Sequence, residues 1–314
     1  MSNLKVAVQM DSPEMLDKQA DSTLALIEEA LKKKYKVHIY TVADLTLENN
    51  NPIVCCREVK GIDINKKNFI TLSEEKRKKL NSFDVVLIRQ DPPYNMKYLT
   101  ATYILEKIKE KTLVLNNPNS IRNSPEKLLV TSFYDLMPPT LISRNIVEIN
   151  NFLNKHKKCV IKPLYGNGGK DVFLISINDP NLSVILEKFL EQEEHFILQK
   201  FISGISEGDK RILLINGQPV GAINRVPNKS QIRANLHIGG IAKKTNLSKR
   251  DLKICKRIKK TLQEKELFFA GIDIIDNYLT EINVTSPTCI REINYFNKDN
   301  IADKFWRTVV KKYF

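Results

Sequence analysis

The chain has 314 residues, 42% of them hydrophobic and 27% charged. That is long enough for two or three domains with a substantial core, at the composition of an ordinary soluble globular protein. The formal net charge of +14 admits nucleic acid, an anionic membrane surface or a polyanionic small substrate. The lysines are dispersed, with no basic block interleaved with aromatics, so the small substrate is the expected partner and nucleic acid is not. The five cysteines form no C-x-x-C pair, which argues against a disulfide framework or a zinc site, and no apolar run approaches the ~20 residues of a membrane span. With no signal peptide before the first strand, the expected location is the cytosol.

In chain order, residues 4–10 read as a buried strand, 16–34 as a helix and 36–42 as a second strand. A third apolar strand at 83–88 runs into Arg89-Gln-Asp-Pro-Pro93, followed by a helix at 97–109 and a strand at 112–116. Strands alternating with helices imply parallel βαβ units, whose ligands bind beyond the carboxyl ends of the strands. Arg89 and Asp91 lie just past such an end and are candidate substrate contacts, or else they stiffen a proline turn. Polar and proline residues at 117–124 suggest a boundary. Beyond it, Ser124-Pro-Glu-Lys127 reads as a capped helix start with Lys127 in its first turn.

Residues 159–176 read as strand, glycine-rich turn, strand. Gly166, Gly168 and Gly169, with Asn167 among them, let backbone amides approach an anion, and Lys162 on the preceding strand can reach a phosphate. This is neither a Walker loop nor a Rossmann fingerprint: no G-K-[ST] follows, and G-x-G-x-x-G is absent. A strand at 196–202 precedes a hairpin at 208–225 that turns at Asn216-Gly217. Arg211 and Arg225 sit on its two strands, remote from the turn, where they either hold a phosphate or carboxylate or merely blunt a sheet edge. Residues 226–241 are polar and loop-like with Arg233 in their middle, the pattern of a lid or of a surface loop.

The stretch from Ala270 to Thr288 reads as strand, Asp276-Asn277 turn, strand and helix start. Asp273, Glu281 and Asn283 offer the oxygen ligands that a hard divalent cation prefers. Glu281 and Asn283 share a face, but a plain two-residue turn would put Asp273 opposite Thr280. Only a longer connection or a bulge brings all three together. Ser286-Pro287 then reads as a cap and first helical position, whose free amides would favour an anion near Ser286 and Thr288.

The combination of Arg89-Gln-Asp-Pro-Pro93, Glu126-Lys127, Ile161-Lys-Pro-Leu164, Gly166-Asn-Gly-Gly169, Gly208-Asp-Lys-Arg211 and Leu279-Thr-Glu-Ile-Asn-Val-Thr-Ser-Pro-Thr288 resembles bacterial glutathione synthetase, of the ATP-grasp superfamily. The resemblance spans nearly the whole chain, and its last motif is the most specific. It implies an α/β fold of three units. An N-terminal parallel α/β domain covers 1–123, a central lid domain 124–202, and a C-terminal domain with the metal site 203–314, with ATP held between two antiparallel sheets.

The resemblance further implies that Lys127, Lys162 and Gly166 to Gly169 meet the phosphates, that Gln199, Lys200, Phe201 and Ile202 border adenine, and that Asp209 approaches ribose. Arg211 would lie near the phosphates, with Arg225, Arg233, Ser286 and Thr288 on the substrate side. Asp273, Glu281 and Asn283 would hold magnesium, with manganese as an alternative. The implied reaction joins glycine to γ-glutamylcysteine at the expense of ATP, in a homotetramer. Another ATP-grasp carboxylate–amine ligase, D-alanine–D-alanine ligase-like or glutamate-adding, is the competing expectation. One departure is the glycine-free stretch 227–235, where the family's loop is often glycine-rich.

Overall fold

The computed structural model describes residues 3–228, 233–236 and 239–314. Three sheets organise them. The first contains β1 (Lys5–Gln9), β2 (Lys36–Tyr40), β3 (Leu45–Glu48), β4 (Asn51–Ile62), β5 (Ile70–Lys79), β6 (Val85–Ile88) and β7 (Leu113–Leu115). β2, β1, β6 and β7 run parallel in that spatial order. β3, β4 and β5 form an antiparallel extension that the sequence reading lacks. Helix α1 (Ser22–Lys32) connects β1 to β2 and α2 (Met96–Glu106) connects β6 to β7, while α3 (Pro118–Arg122) follows β7. α1 begins six residues later than the expected 16–34 helix, because the Asp21 carboxylate caps it by accepting from the Leu24 amide.

Past the boundary, α4 (Glu126–Leu129) is short and has Pro125 at its N-cap position with no side-chain cap; the Ser124 hydroxyl is buried without a hydrogen bond among the described residues. The second sheet is antiparallel, in the order β10 (Phe173–Ser176), β9 (Lys158–Pro163), β11 (Phe196–Lys200), β8 (Thr140–Ser143). α5 (Ile146–His156) and α6 (Leu182–Leu190) cover one face, packing Leu153 and Phe189 against Ile161 and Leu198. Because side chains alternate along a strand, Lys162 and Gln199 project from the other face.

The third sheet is also antiparallel: β14 (Ile241–Lys244), β13 (Gln218–Val226), β12 (Asp209–Ile215), β15 (Phe269–Ile275), β16 (Tyr278–Asn283). α7 (Lys249–Glu264) covers the face bearing Ile212 and Leu214. α8 (Ile290–Asn297) and α9 (Ile301–Tyr313) cover the end of the other face, against Leu213 and Ile215. Leu129, Val130 and Phe133 pack into the core with Ile212 and Ile254. The segment around α4, which the sequence reading groups with the central unit, is therefore anchored on the third sheet by its apolar side chains.

The first and third units are fastened together by buried and part-buried polar contacts. Trp306 Nε1–H donates to the Leu26 carbonyl at 2.9 Å, and Lys33 pairs with Asp303 at 2.5 Å. The Asn116 side chain donates to the carbonyls of Phe269 and Val284 and accepts from the Phe269 amide, all within 2.8 Å. Removing it strands three buried backbone groups, each costing about 1 kcal/mol or more. Asn116→Ala is therefore expected to lower unfolding free energy by about 3 kcal/mol, read as a shift in denaturant midpoint. A shift within experimental error would show that these contacts do not join the units.

Candidate active site

A cleft of about 620 Å³ lies where the uncovered face of the second sheet meets that of the third. Its floor is set by β-register. Ile275 pairs with Tyr278 across the Asp276-Asn277 turn and Ile274 with Leu279, but Asp273 then pairs with Glu281. Thr280 is the extra residue of a bulge, and its hydroxyl donates to the Asp273 carbonyl at 3.1 Å. The bulge turns Glu281 and Asn283 onto the Asp273 face. Asn283 Nδ2 donates to Asp273 Oδ2 at 3.2 Å. The helix expected to start at Ser286 begins instead at Ile290, after Cys289 in a left-handed conformation (φ 85°). Ser286 serves as an anchor, its hydroxyl donating to the Arg89 carbonyl at 3.2 Å.

The same register supplies the cations. Arg211 lies directly across from Asp273, and Asp209 across from Arg225. β12 is flanked by β13 and β15, so Arg211 does not blunt a sheet edge. Arg211 donates from Nε and Nη2 to the two Asp273 oxygens at 2.5 and 2.9 Å. Arg225 Nη2 bridges Asp209 at 2.6 Å and Asp273 at 3.0 Å. Gly271 makes room for this pairing: a Cβ there would sit 3.1 Å from the Arg211 side chain.

Burial alone would raise the Asp273 pKa, but Arg211 and Arg225 outweigh it and hold the carboxyl well below the usual range. Burial dominates at Asp209 and pushes it up to about 7, against the pull of Arg225. Asp209 Oδ1 and Arg225 Nε are buried without hydrogen-bond partners among the described residues.

The second sheet contributes from above. Lys162 Nζ reaches Glu281 at 3.2 Å, and Lys127 Nζ stands 3.9 Å from the same oxygen while donating to the Gly166 carbonyl at 2.5 Å. These lysines more than offset burial and lower the Glu281 pKa. Gly168 and Gly169 take positive φ (64° and 75°), the left-handed region that suits glycine, and Arg233 Nη1 donates to the Gly169 carbonyl at 3.2 Å.

Among the other expected site residues, Asn167, Phe201, Ile202, Asp91 and Thr288 line the cleft. Gln199 and Lys200 do as well, although the Gln199 amide donates to Thr140 Oγ1, and the backbone amides of Lys200 and Phe201 bond Pro139 and Lys158. Arg89 is not a lining residue; its guanidinium is buried, bonded to Thr23 Oγ1 and the Pro287 carbonyl. Of the loop 227–235, residues 229–232 lie outside the described residues.

Sequence reasoning missed Glu126, a buried carboxyl that accepts from Thr285 Oγ1 at 2.7 Å and is raised in pKa mainly by burial. Its adjacency to Lys127 was the available signal. It also missed the cleft wall formed by Met15, Asp17 and Asp21, the last two of which it read as helix.

Two carboxylates and an amide converging on one face suit a hard divalent cation that takes its remaining oxygens from a substrate phosphate. They stop short of three acidic, His or Cys ligands, and no such cluster occurs among the described residues. The arrangement can neutralise a phosphate chain with lysines, arginines, glycine-loop amides and a cation.

The family description "Prokaryotic glutathione synthetase, ATP-grasp domain" matches residues 126–298, and its N-terminal counterpart matches residues 4–122. The chain is 44% identical to the glutathione synthetase of Agrobacterium fabrum, covering 99% of this chain and 98% of that one. It is 45% identical to that of Brucella melitensis, with 98% of each covered. Among solved structures, D-cycloserine synthetase DcsG superposes with a TM-score of 0.70 at 13% identity, covering 98% of this chain and 99% of that one. The Microcystis aeruginosa macrocyclase MdnC superposes at 0.64 and 15% identity, covering 98% and 100%. Identities this low speak for the shared fold alone.

The pairing of Asp273 gives a prediction free of any metal. A carboxylate present only to hold a cation would, without that cation, repel Asp209 and Glu281, and Asp273→Asn would stabilise the fold. Here the substitution strands the buried Arg211, so a loss of about 3–5 kcal/mol is expected in chelator-treated protein, measured by denaturant unfolding.

Proposed function

The chain belongs to the prokaryotic glutathione synthetase family, and we propose from that premise how its cleft performs the reaction. The protein is an ATP-dependent carbon–nitrogen ligase, a glutathione synthetase that joins glycine to γ-glutamylcysteine and releases ADP and phosphate. The observation that most supports the site assignment is the convergence of Asp273, Glu281 and Asn283 opposite Lys127 and Lys162.

A carboxylate is a poor electrophile. In the proposed mechanism the cysteinyl carboxylate of the dipeptide attacks the γ-phosphorus of ATP, forming an acyl phosphate with ADP as leaving group. The glycine amine then adds to the acyl carbon and phosphate departs. Both steps gather negative charge on phosphoryl and tetrahedral oxygens, and preorganised cations around those oxygens stabilise it. We assign Lys127, Lys162 and the amides of Gly166 to Gly169 to the nucleotide phosphates. Arg211, Arg225 and Arg233 are assigned to the transferred phosphoryl group and the substrate carboxylate.

Gln199 to Ile202 border the base and Asp209 the ribose. Asp91, Ser286 and Thr288 form the substrate end, with Arg89 acting indirectly through the Pro287 carbonyl it holds. Asp273, Glu281 and Asn283 would hold magnesium, or manganese, which when bound offsets phosphate charge and aligns the transfer.

The central sheet serves as a lid that keeps water from the acyl phosphate. We place its divisions at about 123 and 202, with the α4 segment packed on the third sheet. The functional form is a homotetramer in the cytoplasm. No helix among the described residues is long and apolar enough to cross a membrane.

The test is ADP release with ATP, magnesium, γ-glutamylcysteine and glycine, omitting each in turn. Release that needs both amino components, with an equal amount of glutathione, is expected; release with another acceptor would overturn the substrate while leaving the fold. Glu281→Gln removes an oxygen ligand's charge and the lysines' partner, and should lower kcat about 100-fold or more in the same assay. Arg233→Ala should lower turnover without moving the melting temperature, and unchanged turnover would remove Arg233 from the reaction.

A further inference from the structure

The glycine loop is pinned at its carbonyls by Lys127 at Gly166 and by Arg233 at Gly169. A third contact enters from the N-terminal unit. Tyr165, the residue before Gly166, lays its ring parallel to that of Tyr94, with centroids 6.0 Å apart and planes at 15°. Tyr94 belongs to the turn that follows β6, so the stack joins the central sheet's phosphate loop to the first sheet's strand end.

The Tyr94 ring is a fixed platform. Its hydroxyl donates to the Arg122 carbonyl at the end of α3, and its other flank lies 5.6 Å from Tyr98, a buried side chain of α2. Tyr165 is held less firmly, with 37% of its surface exposed. One partner is therefore anchored in a rigid unit and the other rides on the loop.

We infer that Tyr94 and Tyr165 form a latch that positions the glycine loop over the nucleotide phosphates, so that Tyr165 is a positioning residue for ATP and for retention of the acyl phosphate. The inference rests on the ligase reading. The loop's amides can meet a phosphate only in the conformation in which the loop is closed. An offset parallel aromatic contact favours that conformation by about two- to tenfold in an equilibrium constant. Apparent nucleotide affinity falls by the fraction of protein that is not closed. A loop that opens during the lifetime of the acyl phosphate also admits water. The water oxygen then forms the bond to the acyl group, the dipeptide carboxylate is regenerated, and phosphate leaves without a peptide bond having formed.

The experiment compares wild type, Tyr165→Ala and Tyr165→Phe. Three quantities are measured: KM for ATP, the ratio of phosphate released to glutathione formed, and the affinity for a non-hydrolysable ATP analogue by calorimetry. The alanine variant should raise KM and weaken analogue binding measurably, by up to about tenfold, and should release phosphate in excess of glutathione. Its melting temperature should match wild type, since the ring is partly exposed. The phenylalanine variant, which keeps the stack and loses only the hydroxyl, should behave as wild type.

Unchanged analogue affinity and a phosphate-to-glutathione ratio of one in the alanine variant would overturn the latch. So would a phenylalanine variant that behaves like alanine. Wild-type protein that makes no glutathione would overturn the ligase reading instead. Analogue binding, which needs no turnover, still tests the latch in that event.

Discussion

The site depends on one irregularity, the bulge that seats Thr280 between Leu279 and Glu281. A sheet has a period of two, so one added residue reverses the face of everything beyond it. Without the bulge Glu281 and Asn283 would point into the apolar packing beneath α7, and Asp273 would face the cleft without them. With it, three oxygen-bearing side chains share one face of a rigid sheet. The hydroxyl of Thr280 bonds the Asp273 carbonyl. The residue that causes the irregularity therefore also ties it down.

From that register follows the charge arrangement. Every acidic group on the floor already has a cation: Asp273 has two guanidinium groups, Asp209 has one, and Glu281 has two lysines. Buried charges are tolerable only when paired; the arginine pairs of Asp273 and Asp209 lie within the third sheet, whereas the lysines of Glu281 come from α4 and β9. A divalent cation arriving alone would have to displace these partners. A cation arriving with a triphosphate brings replacement anions for the lysines and arginines it releases. The same side chains can therefore serve as structural pairs in the absence of nucleotide and as phosphate ligands in its presence.

Much of this was legible in the residues. The Asp276-Asn277 and Asn216-Gly217 turns fixed two hairpins, and the spacing of Asp273, Glu281 and Asn283 stated the need for a bulge without saying whether it was met. What escaped was set by tertiary context. β5 carries Glu74 to Lys79, a polar run without alternation, and it forms because β4 offers it an edge. The Asn49-Asn50 turn, both residues at positive φ, was a hairpin signal that went unused. Ser286 has the chemistry of a helix cap, yet its hydroxyl is spent on the Arg89 carbonyl, because the loop must first return to the end of β6. Arg89 likewise looks like a ligand residue in sequence, and the structure buries its guanidinium against Thr23 and the Pro287 carbonyl.

The packing of α4 sets which contacts a moving lid must break. Leu129 and Val130 hold α4 to the third sheet, so Lys127 stays with Glu281 whichever way the central sheet moves. Lys162 belongs to β9 and leaves with it. Opening therefore costs the Lys162–Glu281 pair, the Lys127–Gly166 bond, the Arg233–Gly169 bond and the Tyr94–Tyr165 stack. All four join the loop-bearing sheet to its surroundings, and each is individually modest. Contacts of that kind can be exchanged during a catalytic cycle. The contacts of Asn116 and Trp306, which join the first and third units, are fully buried and have no such role. In the proposed ligase cycle the second sheet, carrying Lys162 and the glycines, would close against the first and third units, which carry the carboxylates.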